Sequence, residues 1–372
     1  MTAPLVPSYG GSSLADLPGS LLAALGLDGP NPLGLRPAER VCVLLVDGLG
    51  DELLRAHADR APFLSSLSGR VLTAGFPSST VTSLGSLGTG LTPGEHGLLG
   101  MLLAVPGSDE LFNCLSWTHP GGLVVDPLTW QPAATVYERA AAGGVAGAHV
   151  GPSLFEHTGL TGAVHRGLRY YGADTVDERV AAAKTALAEP RAHVTVYFGD
   201  LDAAGHLTGW GSPEWLDQLA VADGLAERLA EALPPGSALY VVADHGMINA
   251  GERVDAETDP ALSEGVALLG GDARARHVYT RPGASRAVLD AWRERLDGLA
   301  WVVSRQEAVE SGWFGPTVQA RWLPRIGEVV AVPYSDVVII QSSIKAEVLF
   351  VGFHGSLTSA EQHIPLLEAS TR

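Results

Sequence analysis

The chain has 372 residues, 46% of them hydrophobic and 17% charged, a composition that excludes a disordered protein and allows one large α/β domain with insertions. Acidic residues outnumber basic ones 41 to 24, and the formal charge of −17 argues against a nucleic-acid polymer as partner, since a phosphate backbone calls for a basic face. Two cysteines, Cys42 and Cys114, are too few for a disulfide-stapled secreted fold.

The N-terminal MTAPLVPSYGGSSLADLPGS lacks a basic segment followed by an unbroken apolar one, and no uncharged apolar run reaches the ~18 residues of a membrane span. A cytoplasmic protein with no membrane partner is therefore expected. Residues 41–47, VCVLLVD, form a continuous apolar run ending in Asp47 and followed by GLG, the pattern of a strand buried on both faces of a parallel sheet. Cys42 inside that run reads as a small hydrophobe. DELLRAHADRAPFLSSL (51–67) has helical spacing, VLTAGF (71–76) reads as a strand, and TVTSLGSLGTG opens a helix at Thr80. The stretch 100–190, rich in Gly, Pro and aromatics, shows no clear period. HVTVYFGD (193–200) and SALYVVAD (237–244) repeat the first pattern, apolar run then Asp, and are joined by an amphipathic helix over 213–233. From 262 to 340 the elements shorten: HVYT, ASRAVLDAWRERL, LAWVVS, GEVVAVPY. The expected fold is α/β, with a mainly parallel central sheet flanked by helices in a core of residues 1–261 and 341–372, and an inserted α+β cap over 262–340.

Ligands of open parallel sheets bind at the C-terminal edge, where Asp47, the Asp200/Asp202 pair and Asp244 are expected to meet. DLDAAGH (200–206) sets Asp202 and His206 four apart, close enough to meet across one helical turn. ADHGM (243–247) puts Asp244 beside His245, and GFHGSL (352–357) offers His354 between small residues. Three aspartates and three histidines suffice for two metal sites of three ligands each, which suits a two-metal centre acting on a phosphoryl group. The uncharged run FPSSTVTSLGSLGTG (76–90) supplies hydroxyls that could cap a helix or attack a substrate.

The ordered set VDGLG, PSST, TGLTPGEHG, DAAGH, ADHGM and GFHG, spanning residues 47 to 354, resembles the alkaline phosphatase superfamily and, more closely, its type I phosphodiesterase/nucleotide pyrophosphatase family. The resemblance implies an alkaline-phosphatase-like core, hydrolysis of a small phosphate ester or nucleotide, and two divalent ions, Zn²⁺ in the first place and Mn²⁺ as the alternative. It puts Asp47, Thr80, Asp244 and His245 around one ion and Asp202, His206 and His354 around the other. Thr80 is the implied nucleophile, with Ser79 as the fallback, and the neighbouring hydroxyls are expected to cap a helix whose N-terminus faces the phosphate. His96 is expected to order its loop, and His363 to be structural. The sequence departs from the family where an Asn three residues after the nucleophile is usual: Ser83 stands there, and Asn113 is a candidate substitute donor. With no Arg beside Thr80, a diester is expected over a monoester, unless Arg166 or Arg169 folds into the site; Tyr170 and Tyr171 could form a wall for an organic group. A phosphomonoesterase or a non-catalytic metal-binding relative is the alternative.

Overall fold

A computed structural model describes residues 3–370. Seven strands form the central sheet in the order 68–73, 363–370, 237–242, 40–46, 192–198, 146–151, 169–172. Arg40–Val46 pairs in parallel with both Ala192–Phe198 and Ser237–Val242, and Ala146–Gly151 pairs in parallel with Ala192–Phe198 and Arg169–Gly172. His363–Ser370 runs antiparallel between Ser237–Val242 and Ser68–Thr73. Central position explains the composition: Val41 to Val46 are all buried, as a strand covered by helices on both faces requires.

The helices that cover the sheet follow from their caps and stripes. Pro213–Glu231 starts with Pro213 in its first turn and Ser212 accepting a hydrogen bond from the Trp215 amide. It buries Trp215, Leu219, Ala222, Leu225, Ala226 and Leu229 at helical spacing. Residues 51–67 break into Asp51–Ala56, a 3₁₀ turn at Ala58–Arg60 and Pro62–Ser66, because Pro62 cannot continue a helix and instead starts the next one. The strand expected over 71–76 runs from Ser68 to Thr73 and stops short of Pro77.

A second, six-stranded sheet has the order 300–304, 329–333, 275–280, 266–272, 102–104, 111–113, and every pairing in it is antiparallel. Four of its strands come from the 262–340 segment. The other two come from the stretch 100–190, which sequence periodicity does not resolve. A buried ion pair, Arg274 with Glu361, ties this sheet to the turn that precedes the last strand of the central one. Among the described residues no helix is long and apolar enough to cross a membrane, and Cys42 and Cys114 are both free and buried.

Candidate metal centre

Three strands of the central sheet end beside one another and deliver the acidic residues. Asp47 follows Arg40–Val46 and Asp244 follows Ser237–Val242, both in turns. Beyond Ala192–Phe198 the chain turns at Gly199 into the helix Asp200–Thr208, so Asp202 and His206 share a face one turn apart, with His206 Nε2 3.2 Å from Asp202 Oδ2. Asp200 does not join them: it is exposed and pairs with Arg179. Gly48, at φ +75°, lets the first strand end approach this helix, because a Cβ there would lie 3.0 Å from Asp202 Oδ1.

Two clusters result. Asp202, His206 and His354 offer ligand atoms all within 4.8 Å of one another, and so do Asp47, Asp244 and His245. In the first, His354 Nε2 is 3.3 Å from His206 Nε2 and 4.0 Å from Asp202 Oδ1. In the second, His245 Nε2 is 3.4 Å from both Asp47 Oδ1 and Asp244 Oδ2. Thr80 Oγ1 lies 3.2 Å from the same nitrogen.

The donor chemistry fits divalent cations. All three imidazoles turn Nδ1 to a main-chain carbonyl: His206 to Gly352 at 2.8 Å, His354 to Ser78 at 2.9 Å, His245 to Gly246 at 3.1 Å. A carbonyl only accepts, so each Nδ1 carries a proton and each Nε2 is the nitrogen turned to the cluster, the one that would ligate a cation once any proton on it is displaced. Asp47 Oδ1, Asp202 Oδ1 and Asp244 Oδ2 are buried without a hydrogen-bond donor. Burial, then the charges of Asp244 and Asp202, pushes the Asp47 carboxyl well above its ordinary value. Burial likewise raises Asp244, to about 7. Burial opposes charge on Asp202 and His206 too, but their mutual attraction prevails: Asp202 is held low and His206 is raised to about 9. Buried carboxylates that repel one another and each keep one oxygen without a donor are the environment that a bound cation relieves.

The hydroxyl run is used differently from the capping expected of it. Helix Thr80–Thr89 has Ser79 at its N-cap position, yet no side chain caps it. Ser78 Oγ donates to the Ser356 carbonyl and Ser83 Oγ to the Asp244 carbonyl, each at 2.8 Å, while Ser86 meets His96 at 3.2 Å. Ser78, just before the helix, and Ser83 within it thus tie its N-terminal end to the segments that carry His354 and Asp244. Ser83, standing where the family has Asn, therefore spends its proton on the backbone. Asn113, whose Oδ1 accepts from the Leu115 and Ser116 amides, is not among the residues that line the cavity over Thr80. His96 is fully buried, accepts from the Leu98 amide, and has its pKa lowered to about 3 by burial and then by Arg325, so it orders the loop after Pro93–His96. His363 begins the last strand, half-buried beside Glu52.

A cavity of about 590 Å³ opens over Asp47, Thr80 and Asp202. Tyr170 forms part of its wall, with Oη donating to the Pro152 carbonyl. Neither arginine of HRGLRYYG enters: Arg166 donates to the carbonyls of Gln131, Ala133 and Ala163, and Arg169 lies over the Tyr171 ring. One functional residue was missed in the sequence. Tyr197 lines the cavity and donates to Asp47 Oδ2 at 2.6 Å. A tyrosine within the apolar run HVTVYF reads as core; its position near the strand's C-terminal end was the available signal.

A murine ectonucleotide pyrophosphatase/phosphodiesterase 5 has the same fold: TM-score 0.67 at 18% identity, over 88% of this chain and 87% of that one. The murine protein has also been solved as an inactive threonine-to-alanine variant in complex with AMP, with the same similarity to this chain. Phosphonoacetate hydrolase from Sinorhizobium meliloti, in complex with phosphonoacetate, aligns with TM-score 0.63 and 18% identity over 89% of this chain and 90% of that one. No curated protein sequence matches the chain significantly. The sequence profile of the type I phosphodiesterase/nucleotide pyrophosphatase family, in contrast, matches residues 41–357. With that match covering most of its 372 residues, the chain belongs to this family of phosphate-ester hydrolases within the alkaline phosphatase superfamily.

Proposed function

We propose that the protein hydrolyses small phosphodiesters, with Thr80 as nucleophile and two divalent ions, Zn²⁺ or alternatively Mn²⁺. Asp47, Thr80, Asp244 and His245 would hold one ion, and Asp202, His206 and His354 the other. The observation that carries this is the exposure of one hydroxyl. Within Ser78–Ser83, Thr80 alone lines the cavity, while Ser79 is 2% exposed. The inactive threonine-to-alanine variant of the murine relative supports a threonine in that role.

When bound, two divalent ions would offset the phosphoryl charge and favour the alkoxide of the attacking hydroxyl. The chain supplies position. Thr80 is the first residue of its helix, whose leading amides, uncapped by any side chain, can donate to phosphoryl oxygens. Thr80 Oγ1 attacks phosphorus, its proton leaves to solvent, and the P–O bond to the departing alcohol breaks in line. Water then cleaves the threonyl phosphodiester, which still carries the second organic group, releasing the monoester and restoring the hydroxyl. A diester is preferred because a monoester carries close to one more negative charge, and Arg166 and Arg169, the nearest arginines in sequence to the cavity wall, are engaged elsewhere.

The test is kcat/KM for bis-p-nitrophenyl phosphate, p-nitrophenyl phosphate, a nucleoside 5′-phosphate p-nitrophenyl ester and p-nitrophenyl sulfate, with Zn²⁺ or Mn²⁺ added. Diesters should lead. A monoester preference of about tenfold or more, equivalent to ~1.4 kcal/mol, would move the protein to the phosphatase side of the superfamily.

A further inference from the structure

With phosphorus against Thr80, the organic group of an ester would occupy the cavity above it. Its outer wall is apolar and its mouth more so: Leu154 is 81% exposed, Leu115 45% and Phe155 41%, and all three line the same cavity. Large apolar side chains left in solvent at the rim of a concave site are characteristic of a surface that an apolar ligand covers. Planar rings continue the wall inward. His149 stands 4.1 Å from His165 and 5.0 Å from Tyr170, centroid to centroid. Burial holds both imidazoles neutral, His165 down to about 4, so they add aromatic surface and no cation.

The hydroxyls of the wall are already used, while the buried Nδ1 atoms of His149 and His165 have no hydrogen-bond partner. Tyr170 Oη donates to the Pro152 carbonyl, Thr161 Oγ1 to the Phe155 carbonyl at 2.6 Å, and Ser116 Oγ shares a proton with Thr118 at 2.7 Å. The only charged side chains lining the cavity, among the described residues, are Asp47, Asp200 and Asp202. Asp200 is paired with Arg179, and Asp47 and Asp202 are among the residues proposed to hold the ions, so away from that centre no lining side chain among the described residues offers a cation. A second anionic group buried there would lack a partner, which is strongly disfavoured.

From the apolar rim, the ring-stacked wall and the lack of a cationic lining side chain among the described residues we infer that the substrate is a phosphodiester whose organic group in this cavity is uncharged and apolar or aromatic. Phosphonates and pyrophosphates bearing a second anion are excluded from it. The inference rests on phosphorus lying against Thr80, and it parts this chain from the relative solved with phosphonoacetate.

The test compares two ligands that differ by one charge, diphenyl phosphate and phenyl 4-carboxyphenyl phosphate, titrated calorimetrically into Zn²⁺-loaded Thr80→Ala protein. In parallel, wild-type hydrolysis of p-nitrophenyl phenyl phosphate is compared with that of its 4-carboxyphenyl counterpart. The uncharged group should be favoured by about 100-fold in both measurements, ~2.8 kcal/mol. Introducing a cation at the rim by Leu154→Arg, at a position exposed enough to leave folding alone, should shift the ratio at least about tenfold toward the carboxylate. Equal or tighter binding of the carboxylate, or a ratio untouched by Leu154→Arg, overturns the inference. Selective binding of diphenyl phosphate with neither ester turned over would instead remove the catalytic proposal and leave this one standing.

Discussion

Replacing Arg274 by methionine should loosen both the fold and the loop that carries His354. Arg274 and Glu361 are completely buried. The guanidinium donates twice to the Glu361 carboxylate, at 3.1 and 2.6 Å, and also to the carbonyls of Ser335 and Val337. Glu361 in turn accepts from the Ser356 amide at 3.0 Å and from Thr358 Oγ1 at 2.6 Å. Between His354 and Ser356, Gly355 has φ +134°, and a Cβ there would lie 3.2 Å from Arg274 Cβ. Removing one partner of a buried pair costs roughly 3–5 kcal/mol, because the other charge stays buried and unpaired. At about 2.1 cal/mol/K per residue, 372 residues give an unfolding entropy near 0.8 kcal/mol/K, so the Tm should fall by roughly 4–6 °C. The assay is thermal unfolding in chelator of Arg274→Met, Glu361→Met and the double variant. The double should lose less than the sum of the singles, since an apolar pair leaves no orphaned charge. A single-variant loss below about 1 °C, or strict additivity, would refute the coupling.

Thr80→Ala should fold, bind metal and lose on the order of 10³-fold or more in kcat, while Ser79→Ala stays within about tenfold of wild type; a dead Ser79→Ala enzyme would shift the nucleophile by one residue. Tyr197→Phe removes the donor to Asp47 Oδ2 and should weaken metal binding by about 10–100-fold in competition with a chelator, and an unchanged affinity would deny Tyr197 a positioning role. His277 is buried, with Nε2–H donating to the Leu99 carbonyl and Nδ1 accepting from the Gly327 amide, and burial lowers its pKa to about 4. Its folded-state value lies below the unfolded one, so the unfolded chain takes up the proton first, and stability is lost as pH falls from about 6.5 toward 4. Between pH 7.5 and 5, denaturant unfolding should show wild type losing about 2 kcal/mol more than His277→Gln, and equal slopes would contradict this.

The parts of the site legible in sequence are those encoded by local spacing. An apolar run ending in Asp places Asp47 and Asp244 at strand ends, and the four-residue interval from Asp202 to His206 aligns them on one helical face. Roles set by distant partners were not legible. Ser83 reaches a carbonyl 161 positions away and Tyr197 a carboxylate 150 positions away, and neither segment marks its partner. The cavity wall was hidden because 100–190 folds into strands and helices mostly of three to seven residues, too short to establish a period. The same stretch supplies Leu102–Ala104 and Leu111–Asn113 to the second sheet, a long-range pairing that local pattern does not encode.

Two divalent ions beside Thr80 are the central claim, and anomalous scattering at the zinc edge from crystals grown with Zn²⁺ tests it most directly. The account predicts two peaks, one against Asp47, Asp244 and His245 and one against Asp202, His206 and His354. A single peak, or none, with all six side chains in place would contradict it.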